Sequence, residues 1–258
     1  MLISYQTIGN PSDPPLIFIH GLGGGAERTV SAFSKLKDHQ VIAPDMPGHG
    51  DSKDYSVSEL GFDRFADHVI ELMDDLGIES CNIGGLSMGS GITLNLALRY
   101  PERIKKIIIL RPSWLHQEKP EHLRLVACVG QWIEEFGVIE AREKLLTDPD
   151  FLSLDKENKP VANSIGILFG RPTTAASIAV LYKMWQDAPF ADPAQLSTLA
   201  NPALVLTTTR DELHPQSTAD VIAAHLPDVR TAELPPRYHE PEAYALALSA
   251  IVQKFLAE

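Results

Sequence analysis

Gly84-Gly85-Leu86-Ser87-Met88-Gly89-Ser90-Gly91 sets a serine between glycines, with an apolar strand-like run ahead of it and a helix-like run behind. A strand that turns into a helix within one or two residues forces strained backbone angles on the corner residue and presses its neighbours two positions away against each other. Gly85 and Gly89, which lack Cβ, suit those two positions. The corner residue then stands proud of the sheet edge, and the amides just after it point from a helix N-terminus to where negative charge can develop. That is how a nucleophile is presented, and Ser87 is the candidate.

The segments on either side alternate between strand and helix patterns. Ile3 to Ile8 reads as an edge strand. Leu16-Ile17-Phe18-Ile19, Val41-Ile42-Ala43 and Ile107-Ile108-Ile109-Leu110 are apolar runs of strand length, as expected of strands covered on both faces. Phe62, Phe65, Ala66, Val69, Ile70, Leu72, Met73 and Leu76 recur at helical spacing up to Gly77, and the run after Ser87 reads as a buried helix ending near Tyr100-Pro101. This alternation predicts an α/β fold, a doubly wound and mostly parallel sheet. Between Arg111 and about Leu199 it breaks. Helical stretches are expected at His122 to Glu135, Ile139 to Leu146 and Thr174 to Gln186, with an irregular proline-bearing segment between and no convincing strand. The simplest architecture is a core of residues 1–111 and 200–258 with a helical cap, 112–199, inserted over the sheet edge where ligands bind. The core resumes with a strand at Ala203 to Leu206, a helix from Gln216 to His225, a strand from Arg230 to Leu234 and a final helix.

Composition narrows the function. The chain has 258 residues, 44% hydrophobic and 22% charged, with a net charge of −12 and no basic stripe, so nucleic acid is not an expected partner. Cys81 and Cys128 fall in a strand and a helix pattern and do not suggest a disulfide framework. Met1-Leu2-Ile3-Ser4-Tyr5-Gln6 shows no basic region leading into a long apolar run, and no later segment has the length of a membrane span. A cytoplasmic protein without membrane association is the expectation, as monomer or homodimer. No metal-ligand cluster or phosphate-cradling loop is evident, and no cofactor is expected.

A serine hydroxyl needs a base to take its proton, and a histidine does this best when a carboxylate orients it. His20 belongs to the glycine loop His20-Gly21-Leu22-Gly23-Gly24-Gly25, which frees the backbone to present the Leu22 N–H to a ligand. His39 and His68 fall at surface or helix positions, His116 and His122 in the cap, and His225 in a helix. His214 lies three residues from the best acid and would have to fold back on its own loop. His239, after the last strand and at the same sheet edge as Ser87, is the expected base. Asp211, after the strand Ala203 to Leu206, is the favoured acid, with Glu212 its near competitor; the preceding core strand ends in Arg111-Pro112-Ser113, without an acid.

These stretches together resemble the α/β-hydrolase family, in its subgroup with a helical cap between the sixth and seventh strands. The likeness rests on the elbow Gly85-Leu86-Ser87-Met88-Gly89, the loop His20-Gly21-Leu22-Gly23-Gly24, the turn Asp45-Met46-Pro47-Gly48-His49-Gly50-Asp51-Ser52, and the chain order Ser87, Asp211, His239. Tyr238 departs from the glycine that many members carry before the histidine. The resemblance implies attack of Ser87 on an acyl carbonyl, deprotonation by His239, an oxyanion held by the amides of Leu22 and Met88, and release of the acyl group by water. A serine at the elbow argues against the dehalogenase and epoxide hydrolase branches, which use aspartate. Arg111 and Trp114 follow the strand entering the cap and are candidate substrate-binding residues. Arg111 would pair with a substrate carboxylate, as in enol-lactone or C–C bond hydrolases, or else bridge cap to core. Trp132, Phe136, Phe169, Met184, Trp185 and Phe190 would supply apolar cap surface, mostly cap core with a few facing the acyl group. The expected activity is hydrolysis of a carboxylic ester or lactone. The alternatives are C–C bond cleavage or a lyase reaction by the same triad and, from another class, a receptor-like ligand-binding protein.

Overall fold

A computed structural model describes residues 2–258, with Met1 outside the described residues. Seven strands form one sheet: β1 (Tyr5–Ile8), β2 (Pro15–Ile19), β3 (Gln40–Pro44), β4 (Cys81–Leu86), β5 (Ile104–Leu110), β6 (Ala203–Thr208) and β7 (Val229–Leu234). Their order is β1-β3-β2-β4-β5-β6-β7, with β1 antiparallel to β3 and every other pairing parallel. The helices are α1 (Ala26–Ala32), α2 (Phe62–Asp75), α3 (Met88–Arg99), then α4 (Arg124–Thr147), α5 (Pro149–Glu157), α6 (Lys159–Gly166) and α7 (Ala175–Lys183) between β5 and β6, and finally α8 (Gln216–His225) and α9 (Pro241–Ala257).

The apolar strands serve two cores because alternate side chains face opposite ways. Ile17, Ile19, Ile83, Ile107 and Val205 pack with Phe62, Phe65, Ile92, Leu96 and Ile222 of α2, α3 and α8. Leu16, Phe18, Ile108 and Leu206 pack with Phe33, just past α1, and with Tyr244, Leu248, Val252 and Phe255 of α9. The chain leaves β2 toward β3 and leaves β4 toward β5, on opposite sides of the sheet. The crevice at the carboxyl ends of β2 and β4 is therefore the point where strand order reverses, the usual ligand position in such sheets.

The segment between β5 and β6 is helical throughout its ordered elements and has a buried cluster of its own, including Leu125, Val129, Ala141, Leu145, Ile165 and Leu181. In this seven-stranded sheet the insertion follows the fifth strand, not the sixth. The helices expected at 122–135 and 139–146 abut within α4 at Gly137, whose φ of 79° and ψ of 169° break the helical path. The stretch expected to be irregular instead forms α5 and α6. Pro149 and Pro160 lie in their first turns, where a missing N–H costs nothing, and the Asp148 carboxylate accepts from the N–H groups of Asp150 and Phe151. Prolines that read as breakers are thus helix starters. The sequence also gave no sign of α1, only seven residues long.

Two buried histidines tie down the loops after β2 and β3. His20 donates from Nδ1 to the Gly21 carbonyl (2.9 Å) and accepts at Nε2 from the Met46 N–H (3.1 Å). His49 donates from Nδ1 to the Pro47 carbonyl (3.2 Å) and accepts at Nε2 from the Gly23 N–H (3.1 Å). A ring nitrogen that accepts carries no proton, so both rings are neutral. Burial pushes the His20 pKa down to about 4, and burial with the nearby Arg171 charge holds His49 well below its ordinary value. Asp45 completes the clamp by accepting from the N–H groups of Ala26 (2.7 Å) and Asp51 (3.1 Å).

At the junction of β4 and α3 the backbone allows no side chain. A Cβ on Gly85 would fall onto the Gly89 carbonyl, and one on Gly89 onto the Ile19 carbonyl of β2. Gly85→Ala is expected to destabilise the fold by about 3 kcal/mol or more, read as a lower urea midpoint. The histidine clamp predicts acid sensitivity. Both rings are kept neutral when folded but take a proton below about pH 6.5 when unfolded, so their contribution is complete above that pH and is lost as pH falls toward 4. Unfolding free energy should decline between pH 6.5 and 4 by up to about 1.4 kcal/mol per pH unit for each such histidine. A urea midpoint that is the same at pH 7 and pH 5 would contradict neutral rings.

Candidate active site

Ser87 sits at the elbow with φ 56° and ψ −110°, a conformation that L-residues rarely adopt. Its N–H donates to the Leu110 carbonyl at the end of β5 (2.9 Å). Gly21 runs directly beside it, with Ser87 Cβ 3.3 Å from the position a Gly21 Cβ would take. The Ser87 hydroxyl lies 3.1 Å from that of Ser113. Ser113 spends its one proton on the Leu213 carbonyl (2.8 Å), so Ser87 is the donor in the serine pair.

Asp211 follows β6 with its carboxylate wholly buried. Oδ1 lies 2.8 Å from Nδ1 of His214, and Oδ2 lies 2.7 Å from Nη2 of Arg111, an ion pair without the alignment of a good hydrogen bond. His214 N–H also donates to the Asp211 carbonyl (3.1 Å), closing a turn that swings the imidazole over the carboxylate of its own loop. The fold-back that made His214 look unsuitable in the sequence is the conformation adopted. The expected pairing of Asp211 with His239 is not formed: the carboxylate bonds His214 of its own loop. After Pro235-Pro236 the chain curls, with the N–H groups of His239 (3.0 Å) and Glu240 (2.7 Å) both donating to the Pro236 carbonyl. This leaves His239 Nδ1 buried without a hydrogen-bond partner. Arg237 and Tyr238 face the site instead. Glu212, the competing acid, points away and accepts from Nδ2 of Asn158 at 2.8 and 3.1 Å.

Two features of the sequence bear on this geometry: a histidine three residues after the acid and followed by Pro215, and Tyr238 directly before His239.

The electrostatics of the cluster follow from burial and from Arg111. Burial alone would raise the Asp211 pKa, but His214 and Arg111 hold it below the usual carboxylate range. Burial and the Arg111 charge push His214 down to about 4, outweighing the carboxylate, so its imidazole is neutral at pH 7. Burial opposes the Arg111 charge, yet Asp211 outweighs it and keeps the guanidinium protonated. The Arg111 side chain is 2% exposed. Its guanidinium carbon lies 5.4 Å and 5.8 Å from the ring centres of Tyr238 and Tyr244. Its charge is thus paired with Asp211 within the core. Nη2 of Arg111 also lies 3.0 Å from His214 Nδ1. The carboxylate is the stronger acceptor, so the Nδ1 proton points to Asp211 and leaves Nε2 free.

These side chains surround a cavity of about 590 Å3, with His20, Leu22, Ser87, Arg111, Trp114 and His214 on its walls. Trp114 is held in place by its indole N–H, which donates to the Met184 carbonyl (2.9 Å), and by an edge contact with Phe62 (5.9 Å between centroids). Leu22 lies in the loop after β2, and Met88 begins α3, where its N–H has no acceptor within the helix. The helical segment contributes Leu123, Val126, Ile165, Ile167 and Leu168 to the cavity. Of the aromatic and methionine side chains expected mostly in the core of this segment, Trp132 and Phe169 pack against its buried cluster, while Met184 and Phe190 are buried in the core on the α2 and α3 side; none of the six lines the cavity. Among the described residues no group of three or more His, Cys, Asp or Glu side chains forms a metal site, and no helix is long and apolar enough to cross a membrane.

Comparison with known proteins agrees with this fold. The model of the α/β hydrolase fold family matches residues 14–241. The 2-hydroxymuconate semialdehyde hydrolase of Pseudomonas sp. (strain CF600) is 29% identical over 221 residues, 81% of this chain and 74% of that protein. The pimeloyl-[acyl-carrier protein] methyl ester esterase of Nitrosomonas europaea is 26% identical over 257 residues, 93% of each chain. The crystal structure of the enol-lactonase from Burkholderia xenovorans LB400 superposes with a TM-score of 0.75 at 21% identity, over 99% of this chain and 96% of that one. With its parallel sheet, its glycine-lined elbow and a family match over most of its length, the chain belongs to the α/β hydrolase fold family.

Proposed function

We propose that this protein is a serine hydrolase of carboxylic esters or lactones, with Ser87 as nucleophile and His214, held by Asp211, as base. The observation that carries it is His214, bonded to the buried Asp211 carboxylate, on the wall of the cavity that the strained Ser87 elbow also lines. In the first half-reaction the Ser87 hydroxyl leaves Ser113, passes its proton to Nε2 of His214, and its oxygen bonds to the acyl carbon. The N–H groups of Leu22 and Met88 meet the oxyanion, each worth about 3 kcal/mol in the transition state. Collapse expels the alcohol, which takes the proton from His214. In the second half a water gives its proton to His214 and its oxygen to the acyl carbon. The acid departs, and Ser87 regains its proton.

Cleavage of a C–C bond beside a carbonyl is a second reading, favoured by the likeness to the 2-hydroxymuconate semialdehyde hydrolase. Turnover of a vinylogous diketo acid, with poor hydrolysis of simple esters, would select it.

Short p-nitrophenyl esters test the assignment. Ser87→Ala should abolish turnover, and His214→Gln should lower kcat by about 10^3-fold or more. His239→Gln should stay within about threefold of wild type; the reverse ranking of the two histidine variants would return the base to His239. His214 acts only when neutral, so kcat/KM should hold well below pH 6.5 and fall as pH drops through about 4. Arg111→Gln, which removes the cation beside the ring, should move that acid limb upward.

A further inference from the structure

The cavity at Ser87 is lined by Arg28, Arg111 and Arg237 and by no aspartate or glutamate. Yet acidic residues outnumber basic ones in this chain by 34 to 22. Arg111 is neutralised by Asp211. Arg28, on α1, and Arg237, in the loop before α9, make no ion pair among the described residues. Arg237 is steadied by the rings of Tyr238 and Tyr244, 5.9 Å and 5.6 Å from its guanidinium carbon, and both rings also line the cavity.

Arg171, from the helical segment, adds a third cation without a carboxylate. Its Nη2 donates to the Gly48 carbonyl (3.0 Å), its Nε is buried without a partner, and its Nη1 lies 3.3 Å from where a Cβ on the cavity-lining Gly23 would sit. Burial and the charge of Arg28 pull its pKa down to about 10, so two like charges have been brought together at the glycine loop with no carboxylate side chain paired to either among the described residues. Such an arrangement is unfavourable until an anion arrives, and guanidinium groups match a carboxylate in shape as well as charge.

We infer that the substrate is an ester or lactone bearing a carboxylate of its own, received at the cavity wall by Arg28 and Arg237, with the charge of Arg171 behind the glycine loop adding to the attraction, while Ser87 attacks the acyl carbon. This rests on the hydrolase reading above, and the experiment separates the two. Mono-p-nitrophenyl glutarate and p-nitrophenyl valerate share acyl length and leaving group and differ in the distal carboxylate. Wild-type kcat/KM should favour the hemi-ester by about tenfold or more, chiefly through KM, and the preference should shrink in 0.5 M salt. The ratio should fall toward one in the double variant Arg28→Gln/Arg237→Gln. It should persist in Arg142→Gln, which removes a charge from the exposed surface of α4. Glutarate should inhibit valerate ester hydrolysis by the wild type competitively, and glutaramide should not, a readout independent of how the variants fold. Parity of the two esters in wild type, an undiminished ratio in the double variant, or equal inhibition by the diamide would each overturn the inference. Hydrolysis of the valerate ester that survives Ser87→Ala would instead overturn the hydrolase reading.

Discussion

Three backbones meet at the elbow more closely than side chains permit. The Gly89 carbonyl fills the space beside Gly85, and the Ile19 carbonyl fills the space beside Gly89. Main-chain contact, which has no rotamers, therefore sets the distance from the Ser87 corner to the loop after β2. The two N–H groups proposed to meet an oxyanion come from those two backbones. Their separation is fixed before any ligand arrives, the kind of preorganisation on which electrostatic stabilisation depends. The histidine clamp extends this rigidity outward, since each loop donates to a ring anchored on the other.

The Arg111–Asp211 ion pair is the costly part of the site. Withdrawing both charges from water carries a penalty that their attraction repays only with good geometry, and stranding one of them typically costs about 3–5 kcal/mol. The pair sits at the ends of the adjacent strands β5 and β6, so the sheet register holds its two halves together. It keeps the carboxylate ionised and the neighbouring imidazole neutral, the protonation states that proton abstraction requires. Nearby, Asn158 reaches from the helical segment to the Arg210 carbonyl (3.0 Å) and the Glu212 carboxylate, fastening that segment to the loop that carries the pair.

Much of this was legible in the sequence. The apolar runs gave the parallel strands, and the spacing of Gly85 and Gly89 around Ser87 gave the elbow, because steric exclusion of Cβ leaves a trace in residue type. Asp211 was legible as an acid at the end of a core strand. Its pairing with His214 was not, because the direction of an imidazole depends on how a turn closes, and a two-proline turn and the four-residue turn from Asp211 to His214 look alike as loop composition. Arg111 was read through its position at the cavity, whereas its partner is fixed by the pairing of β5 with β6, a long-range fact that no local pattern encodes. Pro149 and Pro160 misled for a similar reason, since the same residue ends one helix and begins another.

Asp211 and His214 lie within one short turn of chain, and their mutual orientation is therefore a local property. A site whose acid and base come from separate loops stays aligned only while two strand ends keep their places relative to each other. Here, sliding or local opening of β7 and α9 would leave the two groups together. With His214 as the proposed base, the C-terminal strand and helix carry no proton-transfer group and serve the sheet and the cavity wall. On the proposed pairing, residues 235–240 bear on the ligand through Arg237 and Tyr238 on the cavity wall, so a change of ligand preference at this last loop need not touch the acid and base.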